Sequence, residues 1–200
     1  MTLLLATHNL HKRDELQRIL IAALGDDVSV LTLDDIQPPI GEIEETGSTL
    51  EENALIKART VFQATHLPTI ADDTGLEVEA LGGAPGVYSA RYAGESATYH
   101  DNVVKLLNAM SGIENRRARF STVIAFIASD GTESLFRGDV EGSITLEERG
   151  TNGFGYDPIF VPMDADAKTF AEMPDEEKNA ISHRARGLRR LVQHLRSSSE

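Results

Sequence analysis

The 200-residue chain contains no cysteine. This absence excludes disulfides, thiolate nucleophiles and zinc sites built on cysteine. Carboxylates and histidines are then the only strong metal ligands that the chain can offer. Such a set favours hard cations, which prefer oxygen ligands.

Basic residues are also scarce, since 19 lysines and arginines stand against 32 aspartates and glutamates and give a formal charge of −13. Proteins that coat nucleic acid or an anionic membrane need basic surface to replace counterions or to attract lipid headgroups. The charge therefore argues against both kinds of partner. Any anionic ligand must be met by a local group of cations.

Long apolar runs are missing as well, and the first residues pass straight into Leu3-Leu4-Leu5 without a basic region. We expect a cytoplasmic protein without a membrane segment. A hydrophobic content of 40% is enough for one sizeable core,. We therefore expect a single domain over residues 1–200, with no internal repeat.

Hydrophobic spacing predicts strands and helices in alternation. Asn9, Thr49 and Ser182 are predicted to begin helices, because each precedes an apolar pattern of helical period. Asp130-Gly131 is the best hairpin signal in the chain. The predicted strands are 2–6, 28–33, 119–128 and 133–146.

The stretch from Thr69 to Gly94 places two adjacent carboxylates, Asp72 and Asp73, where an apolar run meets a glycine. We predict that residues 72–75 form a turn between two strands. Adjacent carboxylates repel one another unless a cation or a shared proton relieves them, and a metal is the simplest relief. The alternative is an ordinary turn in which each aspartate caps its own backbone.

Further charged residues could complete such a site. Glu44 and Glu45 form a second acidic pair, which is either solvated surface or a partner for the same metal. Lys12 follows a predicted strand, loop and helix start, where backbone N–H groups attract anions. The alternative there is a plain helix cap by Asn9 beside a solvated lysine.

A glycine-rich loop at residues 149–158 surrounds Phe154 with three glycines. A ring on such a loop can stack on a base, or it can be buried in the core. The final predicted helix is basic within an acidic chain, and His183-Arg184 stands at its start.

In order along the chain, seven motifs resemble those of the inosine triphosphate pyrophosphatase family, the dITP/XTP diphosphatases. They are THNLHK at 7–12, EETG at 44–47, ENALIKA at 52–58, ADDTGL at 71–76, GGAPGVYSARYAG at 82–94, GFGYDPIF at 153–160 and EKNAISHR at 177–184. The resemblance implies an α/β fold with a long twisted mixed sheet flanked by helices. It also implies two lobes with a central cleft, and a homodimer.

The resemblance further implies roles for individual residues. Asp73 would be the catalytic base and a magnesium ligand, with Glu44 and Glu45 as further metal ligands and Asp72 as another candidate. The substrate, a small-molecule nucleoside triphosphate, would be bound by Thr7, His8, Asn9, Leu10, His11, Lys12, Lys57, Thr74, Phe154, Gly155, Tyr156, Asp157, Lys178, His183 and Arg184.

The implied reaction is magnesium-dependent hydrolysis of dITP, ITP or XTP at the α–β phosphoanhydride, which releases the monophosphate and pyrophosphate. Three alternatives stay open at this point. A Maf-like nucleotide pyrophosphatase would act on other bases, and a nucleotide-binding module would show no turnover. Asp73-Thr74-Gly75 also matches the D-T-G signature of aspartic proteases.

Overall fold

The computed structural model describes residues 1–25 and 28–197. Across this part of the chain there are five α-helices, and none is long and apolar enough to cross a bilayer. The helices are α1 Leu10–Leu24, α2 Leu50–Thr65, α3 Tyr99–Ala109, α4 Asp175–Ile181 and α5 His183–Ser197. The strands are β1 Thr2–Leu5, β2 Ser29–Thr32, β3 Thr69–Val78, β4 Pro85–Gly86, β5 Arg117–Ile127, β6 Glu133–Ile144 and β7 Phe160–Pro162.

These strands form one mixed sheet in the order β2-β1-β3-β5-β6-β7, with β4 paired to β3. Strand β1 runs parallel to both of its neighbours, with Leu5 opposite Thr32 on one side and Ile70 on the other. The pairs β3–β4 and β6–β7 are antiparallel. The predicted α/β class with a mixed sheet and flanking helices is confirmed.

The chain divides into two compact units. Unit 1 comprises residues 1–73, 122–138 and 184–200, and unit 2 comprises residues 74–121 and 139–183. Each unit has its own cluster of buried apolar side chains.

The core of unit 1 combines β1 with one face each of α1 and α5. Its members include Leu3, Leu16, Leu20, Leu188 and Leu191. Helix α2 begins where the sequence predicted, because the Thr49 side chain accepts a hydrogen bond from the Glu52 N–H at 3.1 Å. The helical spacing of the apolar residues thus predicted the buried faces of these three helices correctly.

The core of unit 2 is built around aromatic rings. Phe120 meets Phe160 edge to face, with 4.8 Å between the ring centroids. Helix α3 adds Val103 and Leu106, and Met110 follows the helix directly; all three are at most 1% exposed. Edge-to-face pairs of this kind add stabilisation beyond the area that they bury.

The turn predicted at residues 72–75 is wrong, because β3 runs without interruption from Thr69 to Val78. Turn-forming residue types dominate this segment, yet Asp72 and Asp73 are both buried within the strand. Cations from other elements neutralise them, so the aspartates need no turn to satisfy their carboxylates. The turn predicted at Asp130-Gly131 is confirmed, with the Gly131 N–H donating to Ala128 O at 2.9 Å.

Gly142 in β6 tests how tightly unit 2 is packed. A Cβ atom there would lie 2.4 Å from the Val161 carbonyl oxygen and 2.5 Å from the Phe160 ring. We expect Gly142→Ala to lower the free energy of unfolding by about 1–3 kcal/mol through overpacking, measured by urea denaturation. Gly41→Ala is the control, because nothing lies within 4 Å of the added atom. Equal stability of the two variants would contradict this account.

Candidate active site

The loop before α1 is held by hydrogen bonds to its own side chains. Asn9 caps the helix, with its Oδ1 accepting from the Lys12 N–H at 3.1 Å. The Asn9 N–H donates in turn to Thr7 Oγ1 at 3.2 Å. His8 Nε2 lies 3.2 Å from the Gly41 carbonyl oxygen. The plain helix cap is therefore present, and the N-terminus of α1 keeps the polarity that attracts anions.

Lys12 is not solvated, because its Nζ lies 3.0 Å from Asp72 Oδ2. The same carboxylate oxygen lies 3.4 Å from Arg184 Nε. Burial alone would oppose ionisation of Asp72, but the charges of Lys12 and Arg184 outweigh it and hold its pKa well below the usual range. Asp72 is thus a fixed negative charge shared by two cations.

Arg184 lies in unit 1 and is 1% exposed. Its Nη1 is 2.7 Å from Glu15 Oε2 in α1, in addition to the contact with Asp72. The guanidinium is therefore engaged by two carboxylates, and its predicted contact with the substrate stays a prediction. Glu15 was not predicted as a site residue, although it follows Lys12 by three residues and so lies on the same helix face.

Lys57 of α2 joins the two acidic pairs. Its Nζ is 2.6 Å from Glu45 Oε1 and 3.2 Å from Asp73 Oδ1. Burial would lower the pKa of Lys57, but the surrounding carboxylates outweigh it and raise the pKa. Burial, the largest influence on Asp73, raises the pKa of that carboxyl against the charges of Lys57 and Lys12. Asp73 is therefore a stronger proton acceptor than an exposed aspartate.

The carboxylates around Lys57 suit a hard cation. Glu45 and Asp73 each place an oxygen within 3.2 Å of one nitrogen, so both reach the same small volume. Magnesium is commonly held by one or two carboxylates together with water and substrate phosphates. Glu45 and Asp73 could hold it in that way. Within the described residues, no three histidine, aspartate or glutamate side chains gather as a metal-binding group, and Glu44 is exposed.

In unit 2, Asp157 organises the glycine-rich loop. Its Oδ2 accepts from the Phe154 N–H at 2.8 Å and lies 2.7 Å from Lys178 Nζ. The carboxylate and the ammonium are both buried. Gly153 has φ +71°, and a Cβ there would lie 2.1 Å from Asp157 Oδ2, so only glycine fits. This ion pair fixes the loop that carries Phe154.

The Phe154 ring is half-buried and lies between two side chains. Lys178 Nζ is 5.1 Å from its centroid, and the Tyr99 ring is 5.9 Å away at 41°. Phe154 is therefore not part of the apolar core of unit 2. Tyr99 was not predicted as a site residue, because its signal in the sequence is no more than an aromatic residue at the start of an amphipathic helix.

His183 and Tyr156 are more deeply packed. The His183 ring stacks on Phe120, with centroids 4.5 Å apart and planes 8° from parallel. The Tyr156 hydroxyl donates to the Ser89 carbonyl oxygen at 2.9 Å, and burial raises the pKa of Tyr156. Both residues support the loops of unit 2, and their predicted substrate contacts stay predictions.

Four further predicted binding residues are sequence neighbours of the residues in these two groups. Leu10 and His11 are exposed in the first turn of α1. Thr74 is half-buried and follows Asp73 in β3, and Gly155 follows Phe154 with φ +63°. The predicted site residues thus form one group in each unit. The group in unit 1 is Asn9, Lys12, Glu45, Lys57, Asp72, Asp73 and Arg184, and the group in unit 2 is Phe154, Asp157 and Lys178.

Known proteins resemble this chain both in sequence and in overall structure. The Ham1 family model matches residues 3–194. The chain is 48% identical to the dITP/XTP pyrophosphatase of Thermoanaerobacter sp. (strain X514), over 98% of this chain and 96% of the relative. It is 46% identical to the dITP/XTP pyrophosphatase of Flavobacterium johnsoniae, over 98% of each chain.

Solved structures of Ham1 proteins resemble this chain as well. The Ham1 protein of Staphylococcus aureus superposes with a TM-score of 0.87 at 39% identity, covering 99% of this chain and all of the other. A HAM1 protein of Coxiella burnetii gives the same TM-score at 40% identity, covering 98% and 99%. This chain belongs to the Ham1 family. The family resemblance inferred from the motifs is confirmed, which decides against the aspartic protease alternative.

The buried pair of Lys178 and Asp157 generates a prediction about stability. Lys178→Met leaves the Asp157 carboxylate buried beside an apolar side chain, so the free energy of unfolding should fall by about 3–5 kcal/mol. Lys168→Met is the control, because its pair with Glu177 at 3.2 Å is at the surface and should contribute less than about 1 kcal/mol,. Urea denaturation measures both. Similar losses in the two variants would contradict the prediction.

Proposed function

We propose that this protein hydrolyses deaminated purine nucleoside triphosphates, namely dITP, ITP and XTP, to the monophosphate and pyrophosphate. The observation that carries the proposal is its similarity, over nearly the full length of both chains, to proteins named dITP/XTP pyrophosphatase. Such an activity removes damaged purines from the nucleotide pool.

The lysine–carboxylate group of unit 1 supports the phosphate chemistry. Lys12, Lys57 and the N-terminus of α1 can neutralise charge that develops on the phosphates. Asp73 can orient a water molecule and accept its proton as the oxygen attacks at the α–β phosphoanhydride.

Magnesium is the cofactor that we propose, with Glu45 and Asp73 as the residues that would hold it and Glu44 as a further candidate. When bound, such an ion neutralises phosphate charge and favours departure of pyrophosphate. Lys57 contacts both acidic residues, so it keeps them paired before any ligand arrives.

The aromatic and charged group of unit 2 supports selection of the base. Phe154 can stack on any purine, whereas Lys178 can donate a hydrogen bond to the 6-oxo group of a deaminated base. Adenine carries a 6-amino group, which is itself a donor, and an ammonium cannot accept from it. Sites that leave a polar group unpaired in this way discriminate by about 10⁴–10⁵-fold.

We also propose a homodimer and a cytoplasmic location. The family resemblance of the motifs supports the dimer, and the acidic composition fits a protein without nucleic-acid or membrane partners. Light scattering of the purified protein tests the dimer directly.

The reaction itself is tested by incubating the protein with ITP or ATP and Mg²⁺ and by measuring pyrophosphate and orthophosphate separately. We expect pyrophosphate from ITP, with kcat/KM for ATP lower by about 10⁴-fold or more because adenine mismatches Lys178. Release of orthophosphate alone would contradict the proposed bond. Equal kcat/KM values for ATP and ITP would favour the Maf-like alternative.

Asp73→Asn tests the assignment of the base. The amide has nearly the same volume but cannot accept the proton, so kcat should fall by about 10²–10⁴-fold while the circular dichroism spectrum remains that of the folded protein. Asp34→Asn is the control, because Asp34 is exposed and pairs with Arg13 on the surface. Near-normal turnover by Asp73→Asn at saturating Mg²⁺ would transfer the role to another carboxylate.

A further inference from the structure

Asn53 is a fully buried polar residue in unit 1 that the proposed reaction does not itself require. It lies in the first turns of α2 and has 0% of its surface exposed. A buried amide is costly unless both of its ends are hydrogen-bonded. The contacts of Asn53 therefore show what the residue does.

Both ends of the Asn53 amide contact the proposed phosphate site. Its Oδ1 accepts from the Gly47 N–H at 2.8 Å, and its Nδ2 donates to Asp73 Oδ2 at 3.3 Å. The two contacts fix the amide orientation, because a flipped amide would set its NH₂ group against an N–H and its oxygen against a carboxylate. One side chain thus ties the segment after Glu45 to the proposed catalytic base.

Gly47 makes this contact possible. A Cβ atom at position 47 would lie 2.6 Å from Asn53 Oδ1 and 2.6 Å from Glu52 Cβ. The φ angle of Gly47 does not require glycine, so the requirement comes from close packing on α2. The backbone after Glu45 is therefore pressed onto the helix at the turn that carries Asn53.

Lys57 forms a second link between the same two elements. It lies four residues after Asn53 on the same helix face and contacts Glu45 Oε1 and Asp73 Oδ1,. The two oxygens of Asp73 are thus held separately, one by an ammonium and one by an amide. A triphosphate or a metal ion can compete for the ion pairs of Lys57. The hydrogen bond from Asn53 has a neutral donor and does not depend on the charge of Lys57.

We infer that Asn53 is a positioning residue that holds Asp73 and the Glu45 segment at a fixed separation, ready for a divalent cation and the triphosphate. The inference rests on the proposed function, in which Asp73 and Glu45 act on the phosphates. Neighbours that orient metal ligands typically change metal affinity or activity by about 10–100-fold when they are removed. Asn53 should act in that range.

The test compares Asn53→Leu with the wild-type protein. We expect the dissociation constant for Mn²⁺, measured by electron paramagnetic resonance without nucleotide, to rise by about 10-fold or more. With ITP and Mg²⁺, kcat should fall by a similar factor while KM for ITP changes by less than about threefold, because the groups that bind base and phosphate are intact.

Asn102→Leu is the matched control. Asn102 is 2% exposed in unit 2, and its amide links α3 to the preceding loop through Ala93 N at 2.7 Å and Ala90 O at 3.0 Å. Loss of this amide should lower the melting temperature about as much as Asn53→Leu does. The Mn²⁺ affinity and kcat should stay at wild-type values.

Gly47→Ala tests the same link from its other end. The added methyl group pushes the Glu45 segment away from Asn53 without changing any charge, so kcat and Mn²⁺ affinity should again fall about 10-fold. The double variant Gly47→Ala/Asn53→Leu should lose no more kcat and Mn²⁺ affinity than the more impaired of the two single variants, because both changes break the same connection.

The inference is overturned if Asn53→Leu or Gly47→Ala keeps Mn²⁺ affinity and kcat within about twofold of wild type, or if Asn102→Leu loses both equally. Failure of both site variants to fold would also overturn it, since Asn53 would then determine the fold. Failure of the proposed function is distinct, because the wild-type protein would then bind Mn²⁺ without releasing pyrophosphate from ITP.

Discussion

The arrangement of unit 1 depends on burying two adjacent carboxylates in one strand. Asp72 and Asp73 are 2% and 6% exposed. An unpaired buried charge costs several kcal/mol, so each carboxylate needs its own cation. Successive side chains of a strand point to opposite faces, and the cations follow that division. Lys12 and Arg184 contact Asp72, whereas Lys57 contacts Asp73.

This division gives two neighbouring aspartates different chemical properties. Asp72 is held as a carboxylate by the two cations and serves as a counterion. Asp73 has fewer cations and a raised pKa, so it is the better proton acceptor,. The cations come from α1, α2 and α5, which are far apart in sequence. The site can therefore form only when these three helices pack on the same unit.

Local patterns predicted much of this fold but not the charge pairing. The apolar spacing of α1, α2 and α5 predicted their buried faces, and Thr49 predicted the start of α2. The turn at 72–75 was wrong because aspartate, threonine and glycine favour turns locally, while the cations that stabilise a strand lie in distant segments. No single-sequence pattern shows a contact between Asp72 and a residue more than a hundred positions away.

The same limit explains why the contact between Arg184 and Glu15 was not predicted from the sequence. The family resemblance implied that His183 and Arg184 both bind the substrate. In the structure His183 stacks on Phe120 in unit 2, while Arg184 binds Glu15 in unit 1. Neighbouring residues of a helix point about 100° apart, so their side chains can have different partners. Motifs locate candidate residues, and only the packing assigns their partners.

The charge balance of unit 1 bears on how a polyphosphate could bind there. The set of ion pairs around the adjacent residues Asp72 and Asp73 combines three cations with four carboxylates, namely Lys12, Lys57 and Arg184 with Glu15, Glu45, Asp72 and Asp73. Its basic side chains are therefore engaged before any substrate arrives, and its formal charge is negative. A triphosphate entering this field is repelled unless positive charge accompanies it. A divalent cation bound to Glu45 and Asp73 would supply that charge and would also free Lys57 to contact phosphate. The excess of carboxylates thus supports a metal-dependent reaction more strongly than the presence of any one acidic residue.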